Sequence, residues 1–61
     1  MTKYEINYKA RLDEMFDEVI HKYGFETEQT LYFARMHEKY YNCANYENRE
    51  TMEKIFKGLM K

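Results

Sequence analysis

Apolar and polar residues follow the period of an α-helix in three successive segments of this chain. In the first segment one face is apolar and is formed by Leu12, Met15, Phe16, Val19, Ile20 and Tyr23. Acidic residues and His21 occupy the opposite face. The third segment has the same spacing at Met52, Ile55, Phe56, Leu59 and Met60. Both patterns predict amphipathic helices that each bury one stripe.

The central segment, residues 27–44, is apolar over a wider arc than either neighbour. On a helical wheel about half of its circumference is taken up by Tyr32, Phe33, Met36, His37, Tyr40, Tyr41, Cys43 and Ala44. A face this broad must be covered from two sides, either by the flanking helices or by a second copy of the chain. We therefore interpret this segment as the central helix around which the others pack.

Capping and turn residues predict where the first helix begins and ends. Thr2 and Glu5 have the spacing of a capping box, so the helix should begin at residue 3. Gly24 should end it in the left-handed conformation, and Phe25 should fold back onto Ile20 as in a Schellman motif.

The remaining boundaries rest on polar capping residues. Thr27 is suited to cap the central helix, and either Asn45 or Asn48 could start the third. Helices are therefore predicted near residues 3–23, 27–42 and 46–60.

One stretch is ambiguous between helix and strand. Tyr4, Ile6 and Tyr8 alternate with polar residues as a strand would. However, no other segment offers a partner strand, and Tyr4, Tyr8 and Leu12 also follow helical spacing. We predict a helix here.

Length limits what one copy of the chain can bury. A 61-residue domain buries only about 60% of its unfolded surface, and Cys43 is a single cysteine that has no intrachain disulfide partner. We expect one all-α domain over residues 1–61, a helical hairpin plus a third helix, assembled as a dimeric bundle. The dimer interface is predicted around Tyr32, Met36, Tyr40 and Cys43, with Tyr4 and Tyr8 left largely exposed in the monomer.

The charge balance argues against nucleic acid and anionic membranes as partners. Ten basic and eleven acidic residues give a net charge of −1. A basic stripe at Lys54, Lys57 and Lys61 keeps open the alternative of a small DNA-binding regulator that uses helix 46–60. Glu47 and Glu50 lie on the same side and weaken that interpretation. The i+4 spacing also predicts ion pairs from Glu50 to Lys54 and from Glu53 to Lys57.

Glu18 and His21 have the Glu-x-x-His spacing found in di-iron bundles. This spacing supports a lesser alternative, a metal-dependent enzyme built on a dimeric bundle. The two residues lie opposite the apolar stripe, whereas such ligands point into the bundle. We therefore predict an exposed surface here, with no metal, no cofactor and no catalytic residue.

His37 and Cys43 are the two other residues with reactive side chains on the central helix. His37 falls within the apolar face, which predicts partial burial and a hydrogen bond to a tyrosine hydroxyl or a main-chain carbonyl. Lesser alternatives are a pH-sensitive interface and a metal site shared with Cys43. Cys43 is predicted to be a small buried or interface thiol. The single cysteine, the lack of an N-terminal apolar leader and the absence of a membrane-length apolar run indicate a reducing cytoplasm.

The aromatic surface of the central helix suggests the function. Tyrosine rings with a polar tip are typical of protein–protein contacts. An equal alternative is that Tyr32, Tyr40, Tyr41 and Tyr46 pack the three helices together. We predict a non-catalytic interaction or regulatory module that binds itself as a homodimer and also binds a protein partner of unknown identity. The candidate interaction residues are Tyr32, Met36, His37, Tyr40, Tyr41, Cys43 and Tyr46.

Overall fold

The computed structural model describes residues 2–61 and contains three α-helices within that range. They are α1 (Lys3–Tyr23), α2 (Glu28–Tyr41) and α3 (Tyr46–Leu59). The predicted all-α class and the three helices are confirmed, and no predicted end differs by more than one residue. The predicted domain also includes Met1, which lies outside the described residues. Within residues 2–61 no helix combines the length and the apolar character that a membrane crossing requires.

Each helix begins at a side-chain cap. At α1 the Glu5 amide donates to the Thr2 hydroxyl over 3.2 Å, and the Thr2 amide donates to the Glu5 carboxylate over 3.3 Å. Because the capping box starts the helix at Lys3, the alternating stretch after Thr2 is helical, as predicted. Thr27 accepts from the amide of residue 30 at the start of α2, and Asn45, rather than Asn48, caps α3.

The turn between α1 and α2 differs from the predicted motif. Gly24 has φ 89° and ψ 173°, so its φ is positive but its ψ is extended. The predicted positive φ of the glycine is therefore confirmed, whereas its ψ does not match the Schellman motif that was expected. Because the chain leaves α1 in an extended direction, Phe25 does not fold back onto Ile20 and is 75% exposed. The buried Thr30 hydroxyl closes the turn instead by donating to the Gly24 carbonyl over 2.5 Å.

The core lies between all three helices, and α1 supplies most of it. The fully buried apolar side chains are Tyr8, Leu12, Met15 and Val19 from α1, Phe33 from α2 and Met52 from α3. Phe33 is central: its ring centroid lies 6.0 Å from that of Phe16 and 6.5 Å from that of Phe56. Both flanking helices therefore pack on α2 through Phe33.

Tertiary contacts fix the direction of each helix. The hydroxyl of Tyr8 near the start of α1 donates a hydrogen bond to the main-chain carbonyl of Tyr40 near the end of α2. These two helices therefore run antiparallel, as predicted. Tyr23 at the end of α1 donates to the main-chain carbonyl of Leu59 at the end of α3, so α1 and α3 run parallel. The result is an elongated bundle of 33 × 17 × 16 Å.

Tyr8 is buried, which corrects the expectation that its side chain is largely exposed to solvent in the monomer. Its side chain is fully inaccessible, and its hydroxyl donates to the Tyr40 carbonyl over 2.6 Å. Burial raises the pKa of the Tyr8 phenol above its usual value. One chain therefore covers an aromatic side chain that was expected to require a second copy.

An arginine–glutamate pair joins α1 to α3. Arg11 donates from Nε and Nη2 to the two carboxylate oxygens of Glu53 over 2.8 and 2.9 Å, and it also binds Glu14. The predicted pairs from Glu53 to Lys57 and from Glu50 to Lys54 are not formed within residues 2–61. A planar guanidinium donates two parallel hydrogen bonds to the two oxygens of a carboxylate, whereas a lysine ammonium does not have this bidentate geometry.

This pair makes stability depend on pH in a defined window. Hydrogen bonding from Arg11 lowers the pKa of Glu53 below its ordinary 4.5. The stability from the pair is therefore complete above about pH 4.5, the unfolded value, and is lost as the pH falls through the lower folded pKa. We expect Glu53→Gln to lower the free energy of unfolding by about 1 kcal/mol at pH 7 and by much less at pH 3.

Urea unfolding at the two pH values measures this difference. The matched control is Glu50→Gln, an exposed carboxylate one turn earlier on α3, which should have little effect at either pH. An equal loss for Glu53→Gln at both pH values would show that ionisation of Glu53 does not stabilise the fold.

Candidate interaction surface

The structure divides the seven predicted interaction residues into two groups. Four of them are at least partly buried within the single chain: Met36, His37, Tyr40 and Tyr41. The other three are exposed: Tyr32, Cys43 and Tyr46. The first group packs against the core and α1, whereas the second group is open to solvent.

His37 lies in the groove between α1 and α2. Its side chain is 17% exposed, which confirms the predicted partial burial. Its Nε2 lies 2.8 Å from the Asp13 carboxylate, so the predicted partner, a tyrosine hydroxyl or a carbonyl, is wrong. Asp13 is exposed, as its place on the polar face predicts, with 57% of its side chain accessible, and it lies at the edge of α1 that faces α2. The His37 ring also packs 5.2 Å from Phe16 and 4.8 Å from Tyr41.

These contacts give the buried group a structural role. Met36, Tyr40 and Tyr41 pack against the core, and the Lys9 ammonium lies 5.0 Å from the centre of the Tyr41 ring. Such a cation–π contact adds to the attachment of α2 to α1. The aromatic residues on this side of α2 therefore hold the monomer together.

The outward face of α2 is the strongest candidate for an interaction surface. Leu31 is 57% and Tyr32 is 48% exposed, although they are adjacent large apolar residues. Together with Glu28 and Arg35 they line a shallow depression of about 210 Å³. This group of four residues, the outer α2 face, lies on the side of the helix opposite the buried Phe33.

Sequence reasoning identified only Tyr32 in this group. A signal was present, since Glu28 and Arg35 are seven residues apart and so share one helical face with Leu31 between them.

A second exposed apolar group lies at the end of the bundle where α1 and α3 begin. Tyr4, Ile6 and Tyr46 are 39%, 54% and 71% exposed. Cys43 is an exposed free thiol, so the predicted alternative of a buried thiol is wrong, and the alternative of an interface thiol stays a prediction. The short loop before α3 leaves it at the surface, where Asn45 Nδ2 lies 3.8 Å from its sulfur.

The Glu-x-x-His pair is on the outer surface of α1. Glu18 and His21 are both exposed, and His21 Nδ1 lies 2.8 Å from the main-chain oxygen of Asp17. Among residues 2–61 no three His, Cys, Asp or Glu side chains are grouped to hold a metal ion. The surroundings of this pair therefore lend no support to the metal-dependent alternative.

The basic stripe of α3 is exposed but mixed with acidic residues. Solvent reaches Lys54, Lys57 and Lys61, and it also reaches Glu47 and Glu50 on the same helix. A phosphate-binding face concentrates positive charge, because each neutralised phosphate contributes to affinity. The alternation of sign here weakens the case for a DNA-binding helix.

Comparison of the chain with protein-family models, with curated proteins and with solved structures finds no match.

Proposed function

We propose that this protein is a non-catalytic protein–protein interaction module that works as a homodimer through the outer α2 face. The observation that carries the proposal is the exposure of Leu31 and Tyr32 on the side of α2 that faces away from the core. Single exposed apolar residues are ordinary on protein surfaces, but adjacent ones in a depression flanked by charges are typical of a contact site.

The core of the monomer is complete without these residues. Six apolar side chains among residues 2–61 are fully buried by one chain, and neither Leu31 nor Tyr32 belongs to the set packed around them. Burying a large apolar side chain is worth about 1.5–3 kcal/mol, and association costs several kcal/mol in return. A helix face of this size therefore supports a dimer of micromolar or weaker affinity.

This interface differs from the one expected around Tyr32, Met36, Tyr40 and Cys43. Met36 and Tyr40 already pack against the core of their own chain. The proposed interface keeps Tyr32 and moves outward to Leu31. The end of the bundle at Tyr4, Ile6 and Tyr46 remains free in such a dimer for a further protein partner. An exposed free thiol suits the reducing cytoplasm in which we propose that the module acts.

The proposal predicts concentration-dependent stability. Because dimerisation stabilises by mass action, the melting temperature should rise with protein concentration. The double variant Leu31→Gln and Tyr32→Gln should weaken the dimer at least tenfold in sedimentation equilibrium. The matched control is Ile6→Gln, which removes a similarly exposed apolar side chain from the other end of the bundle and should leave the dimer intact.

A monomer at about millimolar concentration, with a melting temperature independent of concentration, would contradict the proposal. A DNA shift assay at two salt concentrations tests the alternative based on Lys54, Lys57 and Lys61. DNA binding would have to weaken steeply with salt, because phosphate contacts release counterions.

A further inference from the structure

We infer that the outer α2 face recognises the same face of a second copy in antiparallel orientation, with Glu28 of each copy bound to Arg35 of the other. This inference rests on the proposed homodimer and adds its geometry. The supporting observation is that an acidic and a basic residue of α2 lie at equal distances on either side of the two exposed apolar residues. Glu28 lies three residues before Leu31, and Arg35 lies three residues after Tyr32.

A two-fold axis at the midpoint between Leu31 and Tyr32 uses this symmetry. When two helices cross such an axis antiparallel, residue 28 of one meets residue 35 of the other, and Leu31 meets Tyr32. Seven residues of helix separate the two charges by about 10 Å along the axis. The two-fold axis therefore gives two equivalent pairs of opposite charge, and one pair lies at each end of the central apolar contact.

The four residues share the face that this arrangement requires. At about 100° per residue, Arg35 lies about 20° from Glu28 around the helix axis, and Leu31 and Tyr32 lie on either side of the line between them. Phe33, which fills the core, is about 140° from Glu28 and points away from the second copy. A second copy can therefore approach α2 without disturbing the monomer.

Both charges are available for such a contact. Glu28 and Arg35 are exposed, and neither takes part in an ion pair within the part of the chain that the structure describes. In a parallel pairing Glu28 of one copy would face Glu28 of the other, and Arg35 would face Arg35. Like charges would then repel at both ends of the contact. Ion pairs at the rim of an interface add little affinity but select orientation, because the wrong orientation places like charges together.

Charge exchange at the two positions tests the geometry. Glu28→Arg puts arginine at both positions, and Arg35→Glu puts glutamate at both. Each variant should raise the dimer dissociation constant about tenfold or more at low salt, because both contacts become like-charged. The double variant Glu28→Arg with Arg35→Glu should recover the affinity of the original protein, because every contact regains opposite charges. An equal mixture of the two single variants should also associate, as a heterodimer.

Sedimentation equilibrium measures these constants, and circular dichroism verifies that each variant is folded. Glu18→Arg on α1 and Lys54→Glu on α3 are charge-matched controls at exposed positions away from α2, and they should leave the dissociation constant unchanged. Raising the salt concentration should reduce the differences among the variants, because exposed charges are screened.

The outcomes separate the inference from the proposal on which it rests. If the original protein is dimeric but the single variants associate equally well, or the double variant is not restored, the antiparallel pairing is wrong while the homodimer stands. If the original protein is monomeric at every concentration tested, both are wrong.

Discussion

Replacing Phe33 by alanine should lower the free energy of unfolding by about 3–5 kcal/mol. Phe33 is fully buried and lies between the Phe16 ring of α1 and the Phe56 ring of α3. Its removal leaves a cavity where all three helices meet. A 61-residue domain has a total stability of about 3–9 kcal/mol, so we expect the substitution to remove a large fraction of it.

Urea unfolding followed by circular dichroism measures the loss. The chain offers a matched control in Phe25→Ala, which removes the same side chain from a position that is 75% exposed. That variant should stay within about 0.5 kcal/mol of the original protein. Equal effects of the two substitutions would show that α2 does not pack as described.

The two glycines should respond to alanine in opposite directions. At Gly24, φ is 89° and ψ is 173°, a region that is essentially restricted to glycine. A Cβ there meets no atom within 4 Å, so the cost of Gly24→Ala comes from the backbone alone. We expect it to destabilise the protein by about 1–3 kcal/mol. Gly58 lies within α3 and is likewise free of neighbours, so Gly58→Ala should stabilise by up to about 1 kcal/mol.

Thermal and urea unfolding of the two variants test this contrast, and each variant is the control for the other. Both substitutions add one methyl group at a site with open space, so packing contributes little to either. If Gly24→Ala is neutral or stabilising, the connection between α1 and α2 does not require a positive φ.

The helix bounds were predictable because they depend on short-range chemistry. Thr2, Thr27 and Asn45 each satisfy amides within three residues, so their effect can be recognised without knowledge of the fold. The apolar spacing likewise identified the buried face of α1. Local signals of this kind determine where each helix begins and which face turns inward.

Side chains at the edges of the helices could not be assigned in this way. The sequence did not indicate the partners of two charged residues of α1: Asp13 bonds to His37, and Arg11 bonds to Glu53. The partners lie 24 and 42 residues away along the chain. Only the packing angle of the helices brings them together, and sequence periodicity carries no information about that angle.

The candidate site shows the same limit. The wide apolar arc of α2 was correctly interpreted as needing cover from two sides. However, a helical wheel does not distinguish residues covered by the same chain from those available to a second one. Met36 and Tyr40 belong to the first class, whereas Leu31 and Tyr32 belong to the second.

The uneven distribution of the core has a consequence for synthesis of the protein. Of the six apolar side chains that are fully buried in the described part of the chain, helix α1 supplies four, the last of them Val19, whereas α3 supplies only Met52. The ribosome must add 52 − 19 = 33 further residues before Met52 joins the chain, which takes about 2–7 s at 5–20 residues per second. During that interval the apolar face of α1 lacks part of its cover. Packing of α1 into the complete core therefore has to wait for the synthesis of α2 and of the first half of α3.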